Sequence, residues 1–337
     1  MAKVSILFIF LACFLLSDLV VSQRLARYNV DPSSLTVSGL SAGAAMATQF
    51  HFAHSSEVFG AGIVAGCHSP VPYNCAAGGL VAATMCMTMP AATNVNTLIT
   101  QTNQRHSNGQ IDSPANIRGD RVFIFHGTRD TTVMPGNGVH VQTMYTHFGA
   151  QIATEFTLPA SHGFPSHNFG AACSASSANT AWINNCDYRG AFLMLNHLYG
   201  GNLIAPNDNS AIPGNLMNFD QAEFFAFGPA LSSMANTGFV YVPTDCQFGA
   251  QCRLHVAFHG CLQSSSNVGN TFALRAGYLE TAEVNNIIVL FPQTISLMLT
   301  NPNACFDWWG YLNNLFATRQ GNQIIATHRM ISRIIRG

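Results

Sequence analysis

The chain has 337 residues, with 14 Lys and Arg against 15 Asp and Glu, a net charge of −1 and only 9 % charged residues, well below the ~25 % of an average soluble protein. With no basic cluster to neutralise phosphates, nucleic acid and anionic membranes are excluded as expected partners. A surface so poor in charge must present amides, hydroxyls and apolar atoms, which suits either a disulfide-stabilised secreted protein or adsorption to an uncharged, apolar solid.

In chain order, Met1-Ala2-Lys3 is a short basic start, Val4–Leu16 is almost unbroken apolar sequence, and Val20-Val21-Ser22 supplies small residues for cleavage. This pattern predicts a signal peptide over 1–22, a mature start near Gln23 and an extracellular protein. No later stretch approaches ~18 uninterrupted apolar residues, so no membrane span is expected. The remainder, 23–337, reads as one domain without repeats or Pro-rich linkers.

Ten cysteines, of which Cys13 falls in the signal, leave nine, an odd number that implies several bridges and a spare thiol. Proximity suggests Cys75–Cys86, Cys173–Cys186 and Cys246–Cys252, with Cys261–Cys305 as a long-range pair and Cys67 unpaired; spacing alone leaves the connectivity open. No C-x₂-C pair and no H-x₃₋₅-H run beside a cysteine pair is present, so no metal is expected.

Short β-prone runs alternate with helical stretches, the pattern of an α/β protein with a mainly parallel sheet. Strands are predicted at Leu35–Ser38, Gly62–Ala65, Val122–His126, Thr154–Leu158, Phe239–Val242, Leu254–His259 and Ile287–Phe291. Helices are predicted after Ser41, over Val139–Phe148, Ala191–Tyr199, Leu274–Val284 and Gln323–Ile335.

The first strand runs into Gly39-Leu40-Ser41-Ala42-Gly43 and then helix-forming sequence, the form of a nucleophile elbow. A serine on such a turn projects its hydroxyl above the sheet, and the following helix offers N–H groups to a developing oxyanion. A nucleophilic serine needs a base and a carboxylate to orient it. Asp130, in the loop beyond Val122–His126, is the acid that position selects. His162, in the loop beyond Thr154–Leu158, is the base. An oxyanion loop usually precedes the nucleophile, yet the strong candidate, Leu254–His259 with Gly260-Cys261, follows the whole triad. The chain therefore reads as a circularly permuted α/β-hydrolase, with the old termini fused between roughly Asn202 and Phe239.

These residues, with Val30-Asp31-Pro32, Tyr241-Val242-Pro243, His259-Gly260-Cys261-Leu262-Gln263 and Asn301 through Gly310, resemble the secreted poly(3-hydroxybutyrate) depolymerases of the circularly permuted, single-domain fungal type. The likeness covers almost the whole mature chain and departs at Cys67, where that family more often has glycine. It implies Ser41 as nucleophile, Asp130 as acid and His162 as base, with the backbone N–H groups of Ala42 and Cys261 as the oxyanion hole. It further implies that Trp309 lines a groove for the polyester chain. The expected activity is hydrolysis of short-chain 3-hydroxyalkanoate polyesters or oligoesters by a monomer, without a cofactor. The alternatives are a secreted esterase for feruloyl or acetyl groups on polysaccharide, and a non-catalytic polymer-binding protein.

Overall fold

The computed structural model describes residues 23–67, 84 and 86–337. The predicted signal peptide and the proposed Cys75–Cys86 bridge therefore lie, wholly or in part, outside the described residues.

The strands are β1 (Thr36–Leu40), β2 (Gly60–Val64), β3 (Arg121–Phe125), β4 (Gln151–Glu155), three short strands β5 (Phe164–Ser166), β6 (Ala171–Ala172) and β7 (Ile183–Asn185), then β8 (Leu216–Asp220), β9 (Thr237–Tyr241), β10 (Arg253–Phe258) and β11 (Ile287–Phe291). Eight of them form one sheet in the order β4-β3-β2-β1-β10-β11-β9-β8, and β5, β7 and β6 form a small parallel sheet of their own. From β4 to β11 every pairing is parallel, and only the β9 and β8 edge runs antiparallel. This is the expected mainly parallel α/β sheet.

Alternation along the strands sends side chains to both faces. Val122, Ile124, Ile288 and Leu290 enter one core, under the helices Ala42–Ala53, Gly136–His147 and Asn322–Arg336. Phe123, Phe125, Val289 and Phe291 enter the other, with Met194 and Leu195 of helix Gly190–Leu198 and with Tyr278 and Leu279. The central strands β1, β2 and β11 are buried throughout; β11 is continuously apolar, while the hydroxyls of Thr36 and Ser38 in β1 are satisfied by His255 of β10.

The structure departs from expectation in several places, the small sheet of β5, β7 and β6 among them. Strand β4 begins three residues before the predicted Thr154, because it is a half-exposed edge whose sequence carries little apolar alternation. Strand β8 and the polar helix Val95–Ser107 have no counterpart in the sequence reading. The predicted helix Leu274–Val284 is two pieces, Thr271–Arg275 and Tyr278–Asn285, separated at Gly277 with φ 87°.

The ends of the described chain meet. The Tyr28 N–H donates to the Ile334 carbonyl at 2.9 Å, and the Gly337 backbone lies against the Arg27 side chain. Strands β1 and β11 are near neighbours in the sheet, each hydrogen-bonded to β10 between them.

Candidate active site

Ser41 sits between β1 and the helix Ala42–Ala53, with φ 57° and ψ −118°. A side chain rarely adopts that backbone, and the sharp turn it makes is the elbow expected from the sequence. Its two glycines have steric reasons. A β-carbon on Gly39 would stand 2.2 Å from the Gly43 carbonyl oxygen, and one on Gly43 would stand 2.3 Å from the Phe258 carbonyl oxygen at the end of β10. Helix and sheet approach too closely there for any side chain.

Asp130 and His162 come together from loops beyond β3 and β4. The Thr128 N–H donates to the Leu158 carbonyl at 2.9 Å and the Arg129 N–H to that of Ala160 at 3.1 Å, so the two loops are zipped side by side. Asp130 is buried, and its Oδ1 accepts from the Thr132 and Val133 N–H groups at 2.9 Å each. Its Oδ2 lies 2.8 Å from His162 Nδ1. A carboxylate only accepts, so Nδ1 carries the imidazole proton and Nε2 keeps a lone pair for base chemistry.

A second histidine, not singled out by the sequence, backs this pair. His126 Nε2 donates to the Val133 carbonyl at 2.7 Å and lies 3.6 Å from the same Asp130 oxygen. Burial holds its pKa below the usual imidazole range, so it remains neutral and packs the acid loop instead of competing for the carboxylate.

The loop after β10 lies behind the elbow. A β-carbon on Gly260 would come within 3.3 Å of the Ser41 Cβ and 3.2 Å of the Leu40 carbonyl oxygen. His259 fixes this loop: its Nδ1 donates to the Gly260 carbonyl at 2.7 Å, and its Nε2 accepts from the Thr294 N–H at 3.3 Å. Burial pushes the His259 pKa down to about 4, which keeps that one-donor, one-acceptor form.

Cys261 is bridged to Cys305, as proposed, and Cys173–Cys186 and Cys246–Cys252 also form. Cys86 is disulfide-bonded, to a cysteine outside the described residues. Cys67 is a free, buried thiol. Burial first and the Asp130 charge second push it up to about 12, which removes it from nucleophilic chemistry.

One apolar cluster gathers the parts: Ala42 after the nucleophile, Val133 from the acid loop, Cys67, Cys305 and Trp308 are buried in it, with Cys261 and Trp309 half-buried against it. Trp308 is therefore core, while Trp309 is half-buried and packs on Tyr311 at 4.9 Å between ring centres. The loop carrying both tryptophans is organised by Asp307, a residue of the Asn301–Gly310 run to which the sequence reading gave no role of its own. Its Oδ1 accepts from the Gly310 N–H at 2.7 Å and the Tyr311 N–H at 3.1 Å, and its Oδ2 from the Leu312 N–H at 3.0 Å.

A serine on a strained strand-to-helix turn, an Asp–His pair on adjacent loops and a glycine loop against the serine together define an α/β-hydrolase. No family model matches the chain. It is 33 % identical over 332 residues to the polyhydroxybutyrate depolymerase of Talaromyces funiculosus, covering 94 % of both chains. It is 38 % identical over 320 residues to the poly(3-hydroxybutyrate) depolymerase of Delftia acidovorans, covering 93 % of this chain but only 62 % of that longer relative. Among solved structures, the PHB depolymerase from Penicillium funiculosum superposes with a TM-score of 0.82 at 33 % identity, over 93 % of this chain and 99 % of that one. A serine-to-alanine PHB depolymerase variant, solved with an R3HB trimer, gives 0.83 at 32 % identity with the same coverage. The chain belongs to the poly(3-hydroxybutyrate) depolymerase family.

Proposed function

We propose that the protein is a secreted serine esterase that hydrolyses poly(3-hydroxybutyrate), or related short-chain 3-hydroxyalkanoate polyesters and oligomers, through an acyl-enzyme. The observation that carries this reading is the 2.8 Å bond between Asp130 and His162, which leaves Nε2 as the free base in a chain with Ser41 on its elbow. The depolymerase relatives and the neighbour solved with an R3HB trimer supply the substrate class.

In this mechanism Ser41 Oγ attacks the ester carbonyl while His162 Nε2 takes its proton, and Asp130 stabilises the imidazolium that forms. The N–H groups of Ala42 and Cys261 receive the oxyanion, and the exposed part of the Trp309 ring meets the chain of the polymer. His162 then protonates the departing alkoxide. Water, deprotonated by the same nitrogen, releases the 3-hydroxyacid.

Secretion is supported by the disulfides and by the signal-like sequence at 1–22, and among the described residues no helix is long and apolar enough to cross a membrane. The permuted reading draws support from the Tyr28 to Ile334 contact: a short link across it would join the C-terminal helix to the elbow strand.

The test is release of 3-hydroxybutyrate from a polymer film by wild type and by Ser41→Ala. Loss of a triad nucleophile typically costs roughly 10⁴-fold or more. A wild type that cleaves feruloyl or acetyl esters but leaves the film intact reassigns the substrate, and a wild type inert on every ester returns the chain to a binding role.

A further inference from the structure

The helix that starts at Ser41 ends, one helix length away, in a cluster to which the esterase reading gives no work. His54 caps its C-terminus and is only 8 % exposed, yet its Nε2 has no hydrogen-bond partner. A buried polar atom without a partner costs free energy and calls for an explanation. His328, from the C-terminal helix Asn322–Arg336, stacks on it with ring centres 4.3 Å apart and planes within 9°. His328 Nε2 in turn lies 3.1 Å from Glu57 Oε2. Each of the three side chains brings one ligand atom within 4.8 Å of the other two.

We propose that His54, Glu57 and His328 bind a borderline divalent cation of the zinc class, which clamps the elbow helix to the C-terminal helix. Two imidazole nitrogens and one carboxylate oxygen are the donor set such an ion takes, with water as the fourth ligand. Calcium and magnesium, which want six or more oxygens, do not fit it. On binding, His328 swings out of the stack and its ring proton passes from Nε2 to Nδ1 through solvent, so that Nε2 and the Glu57 oxygen both turn to the ion. No sequence motif announces the site, because its third ligand is 271 positions from its second.

The ion is structural. Twelve helical residues separate the cluster from Ser41, about 18 Å at 1.5 Å per residue, too far for the ion to touch a reacting ester. Its effect is to hold the chain's last helix against the helix that carries the nucleophile, so its signature is stability and not turnover. Asp112 and Arg319, ion-paired at 2.9 Å, add charges of opposite sign beside His54 and leave the net local field to the ligands.

The experiment uses the mature protein without a polyhistidine tag, stripped with chelator and titrated with Zn²⁺. One ion per chain and a rise in Tm are expected, and Co²⁺ in place of zinc gives the intense visible bands of a four-coordinate site. His328→Gln and Glu57→Gln, both at partly exposed positions, weaken the Zn²⁺ Kd at least ~10-fold and lose the metal-dependent Tm rise. Both keep wild-type turnover of a soluble ester in the chelator-treated state. A Tm indifferent to Zn²⁺, or an equal rise in wild type and both variants, overturns the proposal.

Discussion

Gly260 stands so close to Ser41 that a β-carbon at 260 would lie 3.3 Å from the serine Cβ. Ser41, the proposed nucleophile, and the loop proposed to hold the oxyanion are thus in direct contact, and the spacing between them is set by the absence of a side chain. Gly260→Ala adds that atom. It would also meet Gln263 Oε1 at 2.9 Å, in a buried pocket with little room to yield. The loop must move by a few tenths of an ångström. Deleting an oxyanion donor costs about 10²–10³-fold, and misplacing one should cost about 10- to 100-fold in kcat. Steady-state kinetics on a soluble ester check this, with circular dichroism to show that the fold survives; an unchanged kcat would separate the Gly260 loop from the chemistry.

Asp130→Asn isolates the orienting role of the carboxylate. The asparagine carbonyl can still accept from the Thr132 and Val133 N–H groups, so the loop keeps its form. Its amide N–H₂ then faces His162 Nδ1, which must become the acceptor, and the proton moves to Nε2 where a lone pair is needed. Turnover should fall roughly 10⁴-fold with little change in Tm. Comparing kcat with the thermal midpoint distinguishes the wrong tautomer from a broken loop, since a broken loop lowers both.

Asp307 makes stability depend on pH in a direction opposite to that of most carboxylates. Burial raises its pKa from 3.8 to about 6, and the backbone N–H groups of Leu312, Gly310, Tyr311 and Trp309 only partly offset it. Between those values the folded protein holds a proton that the unfolded chain has already lost, so stability falls as pH rises through this window. The contribution is complete below about pH 4 and lost above about pH 6, with a ceiling of about 3 kcal/mol from the size of the shift. Asp307→Asn carries its own constant offset but no titration. Denaturant midpoints across this window should therefore converge on, or cross, those of the variant as pH rises, and curves that stay parallel would remove the buried acid.

Sequence patterns revealed the parts of the site that are local. The Gly39 to Gly43 motif marks β1 and its helix because close backbone approach permits only glycine, and β3 and β10 are apolar runs with a polar loop at one end. Strand β8 was hidden because Leu216-Met217-Asn218-Phe219-Asp220 is a half-exposed edge, paired along its length with β9 and on its outer side bridged by Gln23 alone among the described residues. Helix Val95–Ser107 buries only Leu98, Ile99 and Thr102, so its apolar stripe is too thin to read; its clearest signal is the Asn94 cap, which accepts from the Asn96 and Thr97 N–H groups. Position relative to a strand end singled out His162 among thirteen histidines, but the supporting roles of His126, His259 and Asp307 depend on burial and on partners that only the fold supplies. The odd cysteine count did predict a spare thiol, and Cys67 is that thiol.

The bridge Cys261–Cys305 couples two functions that separate variants should pull apart. It closes a span of 44 residues, worth about 4 kcal/mol by loop closure. One end lies beside Gly260 and Ser41, and the other is four residues from Trp309 with the Asp307 turn between them. Cys305→Ser frees the proposed oxyanion loop, so that, on the mechanism proposed above, the Cys261 N–H wanders from the place where charge develops. Because that charge exists only in the transition state, kcat on a soluble ester should drop, by less than the ~10²-fold of deleting a donor, while KM changes little. Trp309→Ala leaves the bridge intact but removes the half-exposed indole proposed to grip the polymer, so soluble ester turnover should stay near wild type while release from polymer film falls. Both variants are to be assayed on the same soluble ester and the same film. If the two substrates decline in parallel for both variants, the tryptophan and the disulfide do not divide polymer grip from catalysis, and Trp309 serves packing as Trp308 does.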